Sequence, residues 1–497
     1  MSKYNTVSKN AWLMFSMGML MGLSSAHAAT TLSIPQVPLQ TGSDVPPNIL
    51  FMPDDSGSMA WSYMPDSISG ICRNSTDVED RAMGRSPHIN KAYFDPAVNY
   101  VAPLQANGTP FANASFTAAR TNGYSSSSAI VNLKTSFRAT WQYQDGGSDA
   151  FCGSAGAADY YLYEPALCDD DDDEDDEECY RRYIVDEQSD AIKQNFANWY
   201  SYYRSRLMLS KAGIGRAFQT LPERMRVGYG RLNRNPEVER GVRAFEGSNK
   251  NQFYTWLYGR PDTTSGTPLK STLQAAGDYY KTAEPYRAEP ENTSSGLVSC
   301  RQNFTVLMTD GFYTNQSRGF GDSDGDGDGD TLADIAHHYW KTDLRSDLEN
   351  NVPSGTLDPA NWQHMVTYGV GLGVDGTITN VDDAKKWPIN DSRWPKPDSN
   401  PRKIDDLLHA GVNSRGGFFS ARDPETFNTE LTNTLRNIVN RVASASNLAA
   451  TTTTLQEDNS VFQASFNTST WSGELVGVDV EDFSVQWTAN FPDWGDR

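Results

Sequence analysis

Three oxygen-bearing side chains, Asp54, Ser56 and Ser58, stand two residues apart in the stretch "NILFMPDDSGSMAWS". They follow directly on an apolar run, Ile49-Leu50-Phe51-Met52. Two further oxygens stand in similar settings. Thr267 follows Gly266 in "SGTP", and Asp310 ends the apolar run of "NFTVLMTDGF". A set that offers only carboxylates and hydroxyls suits a hard cation. Mg²⁺ (or Mn²⁺) takes octahedral oxygen coordination and keeps some of its waters. Neutral hydroxyls leave the ion electrophilic, free to accept a carboxylate from outside. Gly57 allows the tight turn that aims Ser56 and Ser58 at one point.

A second oxygen-rich stretch is "GDSDGDGDGDTLAD", from Gly321 to Asp334. Asp322, Asp324, Asp326, Asp328 and Asp330 alternate with small residues, and Gly327 falls at the sixth position. This is the opening of an EF-hand-like calcium loop. The twelfth position holds Ala333 where a bidentate Glu is expected, and Asp334 comes one residue late. Ca²⁺ there would neutralise the loop and order it against the next helix.

Nothing in the chain spells out catalysis. "DDSGS" is not a nucleophile elbow, and no H-E-x-x-H, P-loop or dinucleotide fingerprint occurs. His337, His338, His364 and His409 could act as bases, but the first two lie on an aromatic helical face that suits packing. No catalytic residue is assigned, and a non-enzymatic protein is expected.

The elements that must position these residues alternate. Strand-like runs begin at Asn48, Met225, Asn303 and His364, with a short one at "GGFFSA". Helical patterns lie between and after them: Ala191 to Leu221 with Phe196, Trp199, Tyr203 and Leu207 at helical spacing, then "NQFYTWLYG", "PLKSTLQAAGDYY", "TLADIAHHYWKTDLRSDL", "KIDDLLHAGV" and "DPETFNTELTNTLRNIVNRVAS". Alternation of this kind predicts an α/β fold, a doubly wound, mostly parallel sheet with helices on both faces. Ligands of such sheets sit beyond the carboxyl ends of the strands, where Asp54 and Asp310 fall.

Composition sets the rest of the organisation. At 497 residues, more than one domain is expected. The formal charge of −21 argues against nucleic acid and anionic lipid as partners. Residues 1–28 read as a cleaved export signal: Lys3 and Lys9, an apolar run from Ala11 to Leu23, and "AHA" ending at Ala28. Their two lysines leave with them, so the mature charge is −23. No later stretch is apolar enough to span a membrane. Residues 29–45 form a polar leader, and 46–444 the α/β domain. Residues 61–186, irregular and rich in Ser, Gly, Asn and Pro, form an inserted subdomain. Within it, ten acids between Cys168 and Cys179 make a solvated loop. Five cysteines in an exported chain permit disulfides and leave one over. Their connectivity stays open, with a Cys168–Cys179 pair expected because the two bracket one loop. From 445 to 497 strand alternation takes over, too short for an independent β domain.

The order D-x-S-G-S, Thr after Gly, then T-D-G resembles the metal-ion-dependent adhesion site of von Willebrand factor type A domains. By that resemblance Ser56, Ser58 and Thr267 coordinate the metal through hydroxyls, and Asp54 and Asp310 bind it directly or through water. The usual long helix after the first motif is missing or short here. "NKAYFDPAVNYVAP", "FANWYSYYRSRL", "TLADIAHHYWKTDLR" and "VFQASFNTSTWSGEL" are similar to the exported PilC/PilY proteins of type IV pili. The resemblance implies roles in pilus assembly, adhesion and twitching motility, with minor pilins or the pilus tip as partners and a host or abiotic surface as ligand. It places the protein in the periplasm in transit, then at the pilus tip, outer membrane or cell surface. It also implies that the 445–497 segment is the start of a C-terminal β-propeller. Two rivals stand beside this reading: a periplasmic scaffold that braces minor pilins with a purely structural metal, and a secreted calcium-dependent enzyme.

Overall fold

The computed structural model describes residues 45–491 apart from 74–76, 144–147, 169–175, 224, 261–264, 315, 356, 445–459, 468–471 and 480–484. The segment read as an export signal, nearly all of the expected polar leader and most of the acidic tract lie outside the described residues.

The central sheet has six strands: β1 (Asn48–Pro53), β2 (Arg226–Gly230), β3 (Val238–Ala244), β4 (Asn303–Thr309), β5 (Met365–Leu372) and β6 (Gly417–Ala421). Their spatial order is β3-β2-β1-β4-β5-β6. All neighbours are parallel except the edge strand β3, which runs antiparallel to β2. The strand order therefore reverses between β1 and β4, the place where doubly wound sheets bind ligands. Six of six β1 residues are buried, as the uninterrupted apolar run requires.

Side-chain alternation along β1 divides the core in two. Ile49 and Phe51 face one layer with Phe218, Phe253, Phe427 and Leu431. That layer is made by α2 (Arg206–Gln219), α3 (Gly247–Gly259) and α7 (Pro424–Ser444). Leu50 and Met52 face the other, with Leu273, Ile335, Tyr339 and Leu407. Its helices are α4 (Leu269–Tyr280), α5 (Leu332–Lys341) and α6 (Asn400–Asn413).

The helical pattern from Ala191 to Leu221 is two helices, not one. α1 (Asp190–Tyr202) ends at Tyr203, and Ser205 caps α2 by accepting from the Met208 amide. The two serve different cores. Phe196, Trp199 and Tyr200 of α1 pack with Tyr63, Phe94, Phe137 and Trp141 of the insertion. The insertion's aromatic core thus reaches beyond residue 186, to the end of α1. Its strands are short two-stranded hairpins, such as Asp159–Tyr163 with Tyr180–Ile184. Disulfides join Cys72 to Cys152 and Cys168 to Cys179, and Cys300 is in neither.

After the first motif only one turn of helix forms, Gly57–Ala60. The chain then leaves for the whole insertion and returns as α2, the helix that crosses from β1 to β2. Beyond α7, three strands, Ser460–Asn467, Ser472–Asp479 and Val485–Phe491, make an antiparallel meander. Among the described residues these three strands do not amount to the expected propeller.

Candidate metal centre

Asp54 leaves β1 fully buried, and its two carboxylate oxygens are both engaged. Oδ1 accepts from the Ser56 amide at 2.7 Å, and Oδ2 accepts from the Thr309 hydroxyl at 2.8 Å. Asp310, one residue past β4, is also fully buried. Its Oδ1 accepts from Ser58 Oγ at 2.8 Å and lies 3.4 Å from Ser56 Oγ, while the two serine hydroxyls stand 3.1 Å apart. The spacing of two in D-x-S-G-S therefore does what its chemistry demands. It folds Ser56 and Ser58 back over the end of the neighbouring strand.

Thr267 arrives from the opposite loop. A Cβ built on Gly311 would lie 3.3 Å from Ser58 Oγ and 3.8 Å from Thr267 Oγ1, so both hydroxyls border the space that Gly311 leaves open. Three contacts fasten that loop. The Gly57 amide donates to Ser265 O at 3.1 Å, and the Thr314 amide to Thr267 O at 3.2 Å. Asp55 Oδ1 accepts from the Asn233 amide at 3.0 Å, and Asn233 Nδ2 donates to Gly266 O at 2.8 Å. All five oxygen residues predicted from the sequence meet at the reversal point between β1 and β4.

One residue at the site has no signal in the sequence. Arg206, the first residue of α2, is wholly buried and reaches Asp310 from the far side. Its Nη1 lies 3.2 Å from Oδ2 and 3.1 Å from the Asp310 carbonyl; Nη2 pairs with Asp66 at 2.6 Å, and Nε donates to Tyr63 O at 2.9 Å. The guanidinium also lies 5.2 Å from the ring centres of both Trp61 and Tyr63. Asp310 thus turns one oxygen to the arginine and the other to the serines.

Charge is not balanced at this point. Burial, then the neighbouring Asp54, pushes the Asp310 carboxyl up to about 7. Burial raises Asp54 as well. Arg206 contacts Asp310 and Asp66, and Asp54 has only the longer-range attraction of Arg260. The donor set, its surplus negative charge and the open space beside Gly311 all fit a small divalent cation.

The Asp-rich loop folds differently from its spacing. Asp322, Asp324 and Asp334 bring carboxylate oxygens within 4.8 Å of one another, and so do Asp324, Asp326 and the ring of His409. Asp334, one residue late for an EF-hand, is on the site because it begins α5 as the acid of its capping box. Its Oδ1 also accepts from the Ser323 amide at 2.5 Å. Asp328 turns instead to Lys396 at 2.7 Å. Asp330 accepts the amides of Arg318 and Phe320 at 2.7 and 3.1 Å, in a left-handed conformation at φ 64°. Burial and the adjacent acids push Asp324 up to about 7; Asp326 reaches about 6, chiefly by burial. His409, stacked 4.0 Å from Trp394, is pushed down to about 4 by burial.

No family model matches the chain. The chain is 33% identical to the type IV pilus biogenesis factor PilY1 of Pseudomonas aeruginosa strain PAO1, over 92% of this chain and 44% of that protein. It is equally similar to PilY1 of strains UCBPP-PA14, over 94% and 45%, and PAK, over 92% and 44%. A von Willebrand factor type A protein from Catenulispora acidiphila aligns structurally at 12% identity with a TM-score of 0.24, over 57% of this chain and 61% of that one. The class is that of mixed α/β proteins with a mainly parallel central sheet and an oxygen-lined site at its switch point. Within it the chain is a homologue, over nearly all of its own length, of the PilY1 type IV pilus biogenesis factors. It spans a little under half the length of these relatives.

Proposed function

We propose that the chain is an exported factor of type IV pilus biogenesis and adhesion, working at the pilus tip, outer membrane or cell surface. Its strand-end site would hold Mg²⁺ or Mn²⁺ through Asp54, Ser56, Ser58, Thr267 and Asp310. The observation that carries this is the convergence of two buried carboxylates from adjacent strand ends with the serine hydroxyls of one turn. When bound, the cation supplies a Lewis-acidic position that accepts a carboxylate from a minor pilin or a surface. Ser58 is half-buried and is the member of the set nearest to solvent. Arg206 holds Asp310 from behind, so its second oxygen stays directed at the serines. At the Asp-rich loop, the oxygen-only set of Asp322, Asp324 and Asp334 suits Ca²⁺.

The depth of the site also favours a second reading. Asp54 and Asp310 are fully buried and Ser56 is 1% exposed, which suits a cation that braces the fold of a periplasmic scaffold. Binding of purified minor pilins to the full chain separates the two. On the adhesion reading, pilin binding rises with added Mg²⁺ and is lost in Ser56→Ala/Ser58→Ala. On the scaffold reading, the folded variant binds pilins as the parent does.

A further inference from the structure

One turn beyond the metal-site serines, the surface opens into a cavity of about 520 Å³ between the insertion, α2 and the end of α3. Its charged lining is Arg204, Lys211 and Arg260, and among the described residues no acid lines it. In a chain of net charge −21 this is a local reversal of sign. Lys211 is fixed by the carbonyls of Tyr258 and Arg260, at 3.2 and 2.6 Å, where it closes the C-terminus of α3. Arg260 is 2% exposed, and its Nε and Nη1 are buried with no hydrogen-bond partner. Among the described residues its Nη2 reaches only Ser210 Oγ, at 3.4 Å. Burial holds this guanidinium down to about 10, which still leaves it charged at neutral pH. Asp55 and Asp54 attract this cation through space, but no carboxylate among the described residues hydrogen-bonds to it. An anion brought beside it supplies the hydrogen bonds that its buried N–H groups lack.

The remaining walls bear on the kind of anion. Tyr124 and Tyr143 line the cavity with Asn122 and Ser125, and Tyr143 is 44% exposed. A bare phosphate would leave most of the volume empty. One or two sugar rings that carry a carboxylate on one side and hydroxyls on the others suit its walls better. Their anionic edge meets the basic floor, their hydroxyls meet Asn122 and Ser125, and their C–H face covers a tyrosine. We propose that this cavity is a binding site for an acidic sugar of the uronate type.

The test is calorimetric titration of digalacturonate into the full chain, freed of metal by chelating resin so that no cation site contributes. Lactose and a hexaglutamate peptide serve as comparison ligands. Digalacturonate is expected to bind, lactose to give no heat and hexaglutamate to bind more weakly. Arg204→Gln and Arg260→Gln are each expected to weaken digalacturonate by about tenfold or more, the worth of one charge-assisted hydrogen bond. Arg204 is only half-buried, so that variant reports even if the Arg260 variant fails to fold. Absence of binding by the parent overturns the proposal. So does unchanged binding by Arg204→Gln, or hexaglutamate binding as tightly as the sugar, which would make this an acidic-peptide site.

Discussion

Arg206→Ala will cost about 3–5 kcal/mol of stability, the usual effect of removing one partner of a buried pair. The arginine is wholly buried and joins three segments, through Asp310, Asp66 and the Tyr63 carbonyl. Its loss leaves the Asp310 carboxylate buried against Asp54 with no cation of the chain in contact. Arg206→Lys will not restore the parent's stability, since one ammonium cannot reproduce four directed contacts at 2.6–3.2 Å. Asp66→Asn is the control: that side chain is 23% exposed, and its loss should be worth under about 1 kcal/mol. Denaturant melts of the three variants check the order. Saturating Mg²⁺ should return part of the loss in Arg206→Ala, because the cation would take over the charge of Asp310. A variant as stable as the parent would mean that Arg206 does not hold the site together.

The second large effect concerns pH. Asp310 and Asp324 are pushed up to about 7 and Asp326 to about 6, and burial raises Asp54 and Asp406 too. A raised carboxyl means that the folded, metal-free chain binds more protons than the unfolded one between about pH 4 and 7. These acids therefore make stability fall as pH rises through that window; His409, His337 and His338, held below their ordinary value by burial, act in the opposite sense up to about pH 6.5, and the five raised acids outnumber them. Carboxylates held low, such as Asp358 beside His364 and Arg441, act in the opposite sense, but their contribution is complete once pH exceeds the unfolded value near 4. The metal-free protein should melt at a lower temperature at pH 7.5 than at pH 5. Saturating Mg²⁺ and Ca²⁺ should remove the difference, because a cation replaces the protons. Apparent affinity for Mg²⁺ should drop by about tenfold per pH unit below 7 for each proton displaced. A melting temperature that rises steadily from pH 5 to 7.5 without metal would contradict the account.

How much of this was legible depends on how local each signal is. β1 and β4 are uninterrupted apolar runs that end on acids, so both strands and the Asp54–Asp310 convergence follow from short stretches. Strand β3 is different: "VERGVRA" lies at the sheet edge with mostly half-buried residues, and its sequence carries no apolar run. Arg206 stands 104 residues from Asp310, and only the return of the chain from the insertion brings them together. The break between α1 and α2 rests on Ser205, a cap with nothing around it to mark it among the serines of "YSYYRSRL". In the Asp-rich loop, alternation suggested five equivalent ligands. Asp328 and Asp330 instead meet Lys396 and two loop amides, while the capping acid Asp334 and the distant His409 join the clusters. Spacing shows which oxygens are available, and the packing of α5 and α6 decides where they point.

The proposed function rests on the strand-end oxygens binding a divalent cation. Calorimetric titration of Mg²⁺ and Mn²⁺ into the metal-free full chain and into Ser56→Ala/Ser58→Ala tests it most directly. The parent should show one binding event that the variant lacks, with the Ca²⁺ response at the Asp-rich loop unchanged. A folded variant that binds Mg²⁺ and Mn²⁺ as the parent does would show that these oxygens are not a metal site.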